Sequence, residues 1–188
     1  MARRLDQLDF DCIPQLQRKV ALALVLSGVV SFWLAKADAD WANSAEQAAV
    51  FIHQQTENQP GTVWFQGHWG FQYYMQLLGE RPVDFLRTGM QRGDVLVVPE
   101  NNADAYRMPT AQFVASTNVL QIKLPQPLST MRWRSGAAFY SSFYGPLPFA
   151  FGPSETERYY VFRLSMPLAR RIVRGRWEGR RNPEVTVK

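Results

Sequence analysis

Two histidines, His53 and His68, and a single cysteine, Cys12, are the residues best suited to metal or nucleophilic chemistry in this chain. A zinc centre needs more ligands of the right kind and spacing, and Cys12 lies on the far side of a long apolar run. No metal and no cofactor is therefore expected. Neither the G-x-x-x-x-G-K-[ST] phosphate loop nor the G-x-S-x-G elbow occurs. What remains is Gly67-His68-Trp69-Gly70, placed where a predicted strand turns into a helix. Open α/β sheets bind ligands at such turns. Backbone amides at the helix start could hold an anion, and His68 could donate a hydrogen bond or move a proton, with Asp94 or Asp84 as its carboxylate. Equally, the two glycines could serve a tight turn while His68 and Trp69 pack against their neighbours. Tyr73 and Tyr74 follow at once; they could line a sugar or lipid surface, or one of them could be core. Residues 139–149 are dense in aromatics and include Tyr140 and Tyr144. They could stack on sugars, or press onto the domain or a membrane surface.

These residues need a scaffold, and the pattern predicts one. Residues 62–65 read as a short buried strand, 71–78 have helical spacing with Gly79 as a C-terminal cap, and 95–98 read as a second buried strand stopped by Pro99. Strand, helix and strand in this order predict a parallel βαβ unit. Residues 82–85 form a short extended piece, 113–124 one or two further strands, and 159–164 a last strand. Residues 37–55 carry Ala42, Ala45, Ala48, Ala49, Phe51 and Ile52 at helical spacing.

That helix could continue directly from an uncharged run at residues 20–35, VALALVLSGVVSFWLA, flanked by Arg18, Lys19 and Lys36. As a helix the run covers roughly 24 Å, somewhat less than a bilayer core of ~30 Å. Flanking basic side chains can snorkel, and Trp33 lies where an interfacial aromatic belt would be. Arg3, Arg4, Arg18 and Lys19 precede the run, while Lys36, Asp38 and Asp40 follow it. This places the N-terminus in the cytoplasm and the main domain outside. Two alternatives stay open. One is a cleaved signal peptide, with Ala35-Lys36-Ala37 or Ala37-Asp38-Ala39 as the processing site, although Asp6, Asp9 and Asp11 do not suit its first segment. The other is a buried core helix.

With 46% hydrophobic and 13% aromatic residues, the 188-residue chain can build a real core. One cysteine excludes an intrachain disulfide and leaves the compartment open. The formal charge of +5 is uneven: the stretch from Arg158 to the end carries more than all of it. Arg170, Arg171, Arg174 and Arg176 are the candidate contacts to anionic lipid. Nucleic acid is not expected as a partner, because these charges cluster in a tail rather than interleaving with a strand platform. The expected organisation is a cytoplasmic segment (1–19), a transmembrane helix (20–36), an extracytoplasmic α/β domain (37–166) and a basic tail (167–188). The expected fold class is α/β, a small mixed sheet with flanking helices after one N-terminal transmembrane helix.

The string WFQGHWGFQYYM at 64–75, then Gly79, then GDVLVVP at 93–99, resembles a known region. So does AFY at 138–140 followed by GPLPF at 145–149. The resemblance is to the C-terminal extracytoplasmic part of bacterial polytopic glycosyltransferases, the family-39 or protein-mannosyltransferase-like enzymes related to aminoarabinose transferases. It covers most of the chain, roughly residues 20–164, with 20–35 as a last membrane helix. Enzymes of that kind move a sugar from a polyprenyl-phosphate carrier, and their catalytic carboxylate sits in an early loop of a many-helix membrane core. The resemblance therefore implies no catalytic residue in this chain. It implies either a fragment of a larger transferase or a stand-alone relative of its tail. The implied partners are membrane lipid, a polytopic transferase core and a polyprenyl-phosphate sugar. A membrane-anchored or secreted binding module unrelated to sugar transfer is the alternative.

Overall fold

The computed structural model describes residues 13–84, 87–102, 109–140, 145–153 and 156–168. Its fold is mixed α/β, as expected: one long N-terminal helix, then a small mixed sheet with a short helix. Helix α1 runs Ile13–Thr56 without a break, about 66 Å from the rise per residue. Its apolar part is long and hydrophobic enough to cross a membrane, with a mean hydropathy of 2.0 over eighteen residues and only 6% of that window buried. A core helix of a soluble domain would be covered there instead.

Beyond the apolar run α1 changes character. Ala37, Ser44, Ala45, Ala48, Ala49, Ile52 and Thr56 are buried, at the three- and four-residue steps that line one helical face. Small residues dominate that face, which lets a neighbour approach closely. Ala42 and Phe51, expected on the same apolar face, lie at its margins and are exposed.

The chain forms two compact units, and the division falls within α1. The first comprises Met1–Gln47 with Gln121–Glu157; the second comprises Ala48–Leu120 with Arg158–Lys188.

The five-stranded sheet is drawn mostly from the second unit. Its strands are β1 (Val63–Phe65), β2 (Arg81–Pro82), β3 (Val95–Pro99), β4 (Val114–Lys123) and β9 (Thr156–Leu164), in the order β2-β1-β3-β9-β4. Strand β1 pairs in parallel with both β2 and β3, and β3 pairs antiparallel with β9. The expected βαβ unit is present, with β1 and β3 parallel and α2 (Trp69–Leu77) between them in the chain, and the short extended piece supplies the edge strand β2. The last strand is inserted beside β3, and the segment read as one or two strands is a single long β4.

Side chains alternate across a sheet, so each face builds its own core. On one face Leu96, Val98, Phe162 and Leu164 cluster with Met90, Phe113 and Leu168, joined by Trp64 and Tyr160. On the other, Phe65 meets Phe71 of α2 edge-on at 6.0 Å, and Phe71 lies 5.2 Å from Tyr159. Strand β3 is buried along its whole length, as a central strand with covered faces must be. The edge strand β2 is two residues long and ends in Pro82, which removes one ladder donor from an exposed edge. Leu78 caps α2, the Gly79 amide bonds the Gln76 carbonyl and the Glu80 amide bonds the Met75 carbonyl, the pattern of a glycine-ended helix.

Asp94 ties the sheet together at the start of β3. Its carboxylate accepts from the Thr62 amide, the Trp64 indole Nε1 and the Gln91 amide, each at 2.9 Å, and the residue is 5% exposed. Asp94→Ala leaves three part-buried donors without their acceptor and should lower unfolding free energy by about 2 kcal/mol. Asp94→Asn keeps one acceptor oxygen and should fall between. Urea unfolding of the three proteins checks this; an alanine variant as stable as the parent would contradict the role.

Candidate functional site

Strand β1 ends at Phe65, and the next three residues turn the chain into α2. The Gln66 amide still bonds the Val97 carbonyl at 2.9 Å. Gly67 then takes φ +123°, and a Cβ there would meet the Asn102 carbonyl and the Phe71 ring at 3.0 Å each. Both the conformation and the space demand glycine. The His68 amide donates to Asn102 at its carbonyl oxygen (3.1 Å) and at Oδ1 (2.9 Å). That amide is thereby spent on the protein rather than offered to an anion.

Beneath the turn lies a polar floor of Gln66, Glu100, Asn101 and Asn102, all buried. Glu100 accepts an ion pair from Arg158 at 3.5 Å, so this arginine belongs to β9 rather than to a solvated tail. Arg163 is likewise engaged, with Nη1 on the Gly93 carbonyl at 3.0 Å. Among the described residues no buried side-chain nitrogen or oxygen lacks a partner. The floor is a saturated support, and ligand contact falls to what stands above it.

Above it stand rings. His68 and Trp69 are exposed, with ring centroids 6.1 Å apart. Trp69 is the one described non-glycine residue at positive φ, +52°, a conformation that costs an L-residue about 1–2 kcal/mol. Strain of this kind concentrates at functional positions. Tyr73 is 61% exposed and Leu77 69%; with Trp69 they occupy i, i+4 and i+8, one outward stripe on α2. Neither tyrosine is core: Tyr74 is half-buried, its ring 5.3 Å from Tyr73. The core positions of α2 are Phe71 and Met75. Gly70 has open space around it.

Asp94, one of the two carboxylates proposed to act with His68, stands apart from it. Thr62 and Asp94 meet at the start of the parallel pair β1 and β3, while His68 follows the end of β1, roughly 20 Å further along an extended chain. Asp94 is moreover engaged by three donors. Asp84 has its Oδ2 3.8 Å from the Arg87 Nε. No group of three His, Cys, Asp or Glu among the described residues could hold a metal.

Tyr140 belongs to the first unit. Its hydroxyl donates to Asp38, and its ring stacks on Trp41 at 6.4 Å. Burial, and then the hydrogen bond and charge of Asp38, push its phenol up to about 12. Here the residue fastens α1. Tyr144 and the candidate lipid contacts Arg170, Arg171, Arg174 and Arg176 lie outside the described residues. Sequence reasoning missed Asn101 and Asn102; the available signal was a polar Glu-Asn-Asn run directly after an apolar strand.

No family model, no curated protein and no solved structure matches this chain.

Gly67→Ala should destabilise the domain by about 1–3 kcal/mol, whereas His68→Ala should stay within about 0.5 kcal/mol of the parent. Unfolding of His68→Ala under native conditions would make the imidazole structural. For Tyr140, a folded pKa raised above the unfolded value gives stabilisation that is full below pH 10 and lost as pH rises through about 12. Alkaline titration followed by phenolate absorbance should show a late phenol that is lost in Tyr140→Phe. Identical titrations would contradict the Asp38 contact.

Proposed function

We propose that this chain is an anchored extracytoplasmic domain of, or accessory to, a membrane glycosyltransferase that uses a polyprenyl-phosphate-linked sugar. It binds beside the reaction and does not carry it out. One observation carries the binding role: Trp69 and Tyr73 stand exposed on one face of α2, beside His68, on a turn made rigid from below. Aromatic faces with a polar neighbour suit a sugar ring, whose C–H faces are apolar and whose hydroxyls need partners. The likeness of residues 64–75 and 93–99 to the transferase tail supplies the substrate class.

Residues 20–36 act as the anchor, in the bacterial inner membrane, with the N-terminus in the cytoplasm by the charge asymmetry. The alternative of a cleaved leader fits the geometry poorly. Cleavage after Ala37 or Ala39 would cut inside α1, and it would remove Trp33 and Lys36, which bond Gln126 and Asp40.

The second reading is a membrane-anchored module that binds another protein. The exposure of Leu77, which continues the stripe beyond the two rings, favours it. The test titrates the full chain in nanodiscs with a polyprenyl-phosphate sugar and with the free sugar, reading tryptophan fluorescence. The transferase reading expects saturable binding, weakened at least tenfold in Trp69→Ala/Tyr73→Ala with unfolding midpoints unchanged. No binding of either compound by the folded parent would overturn it and leave the protein-binding module.

A further inference from the structure

We infer that the apolar collar of the first unit, formed by exposed Phe139, Leu147 and Phe151 with half-buried Phe149, sits in the lipid interface and shares the anchoring of α1. The inference rests on the reading of residues 20–36 as a membrane span.

The collar is built on a small frame. Strand β5 (Leu128–Ser129) pairs with β8 (Ala150–Phe151), and β6 (Met131–Arg132) pairs with β7 (Ala137–Ala138), both antiparallel. The Leu147 amide bonds the Gly136 carbonyl at 3.0 Å, and the Ala138 amide bonds the Leu147 carbonyl at 2.7 Å. Gly145 takes φ +153°, and a Cβ on it would lie 2.4 Å from the Gly136 carbonyl oxygen, so a side chain there would force the frame apart. Buried Leu128, Met131, Ala137 and Ala150 face inward.

The apolar side chains outside the frame have no such cover. Phe139 is 60% exposed, Phe151 59% and Leu147 46%. Residues 135–153 contain no charged side chain at all. An uncharged, aromatic and proline-rich surface of this kind is costly in water and suited to the headgroup level of a bilayer.

Continuity with α1 identifies the lipid as the occupant. The Phe151 ring meets the Trp33 ring edge-on at 5.4 Å, and Phe149 meets Phe151 at 6.0 Å. Trp33 closes the apolar run, and its neighbour Phe32 is 76% exposed. An unbroken apolar surface thus passes from the lipid-facing side of the helix onto the frame. The carboxylates come further along: Asp38 and Asp40, which accept from Thr130 and Gln126, lie about 8 and 10 Å beyond Trp33 on the helix axis. The order along α1 is apolar run, aromatic collar, carboxylates, which is the order of a membrane, its interface and water. The collar also answers the shortness of the run, since added apolar height on the outer side offsets hydrophobic mismatch.

The test places an environment-sensitive fluorophore at Phe151→Cys, and separately at Leu147→Cys, in a Cys12→Ser background. The full chain sits in nanodiscs of phosphatidylethanolamine and phosphatidylglycerol. Both labels should emit at blue-shifted wavelengths and be quenched at least twofold more by lipids brominated near the headgroup than by an aqueous quencher. Alkaline carbonate extraction of the same variants reads the span separately. Water-like emission at both positions in a chain that carbonate leaves in the membrane would overturn the collar alone. Release by carbonate would overturn the span, and the collar with it.

Discussion

Asp38 and Asp40 lie within two turns of the end of the apolar run, and together they take hydrogen bonds from four side chains. Asp38 accepts from Thr130 and Tyr140; Asp40 accepts from Lys36 and Gln126. The ammonium of Lys36 holds the Asp40 carboxyl below its ordinary range, with the Gln126 amide acting in the same direction against partial burial. Its contribution is therefore present above the usual carboxylate pKa and lost as pH falls through the lowered one. Charge-assisted bonds are the strong ones, although exposure and salt weaken the Lys36 pair. Gln126 bridges further, since its Oε1 accepts from the Trp33 indole at 2.9 Å. The first turns of α1 beyond its apolar run are thus fixed at several points. Both the collar at Phe151 and the burial of Ala37 follow from that fastening.

The sheet shows the same economy in a different place. One carboxylate, Asp94, sets the register of β1 against β3 by binding Thr62 and Trp64. One asparagine, Asn102, sets the turn at the other end by binding the His68 amide twice. Between these ends the hydrophobic faces supply the bulk of the stability, and the polar groups decide which arrangement is adopted. The strained Trp69 is sustained by the same support. Its ring is held outward because Phe71 and Met75 occupy the inner face of α2.

Much of this was legible in the residues because it rests on local patterns. Val95–Pro99 is a continuous apolar block after Gly-Asp, and Val63–Phe65 is another after Pro-Gly, so both buried parallel strands stand out. The single helix through residues 20–55 followed from two adjoining stretches, one uncharged and one with helical spacing. The start of α2 was misplaced by two residues because the first turn is opened by a left-handed tryptophan, which no propensity favours. The frame of β5 to β8 was not legible. Each of its strands is two residues long, too short for a period, and its pairs are closed by glycines and long-range bonds. Asn102 escaped because its role depends on a neighbour thirty-four residues away in the chain. The double use of Asp38 and Asp40 escaped for the same reason, since carboxylates after an apolar run also read as simple solvation.

The most direct measurement of the fastened helix is hydrogen exchange, read by mass spectrometry on the full chain in nanodiscs. Local opening shows itself as fast-exchanging amides. The account predicts that amides from Leu34 to Thr56 are protected as one block, with no fast segment around Asp38 to Ser44. A gap of rapidly exchanging amides there, between a protected apolar run and a protected Ala48 to Thr56, would contradict it and make the junction a hinge.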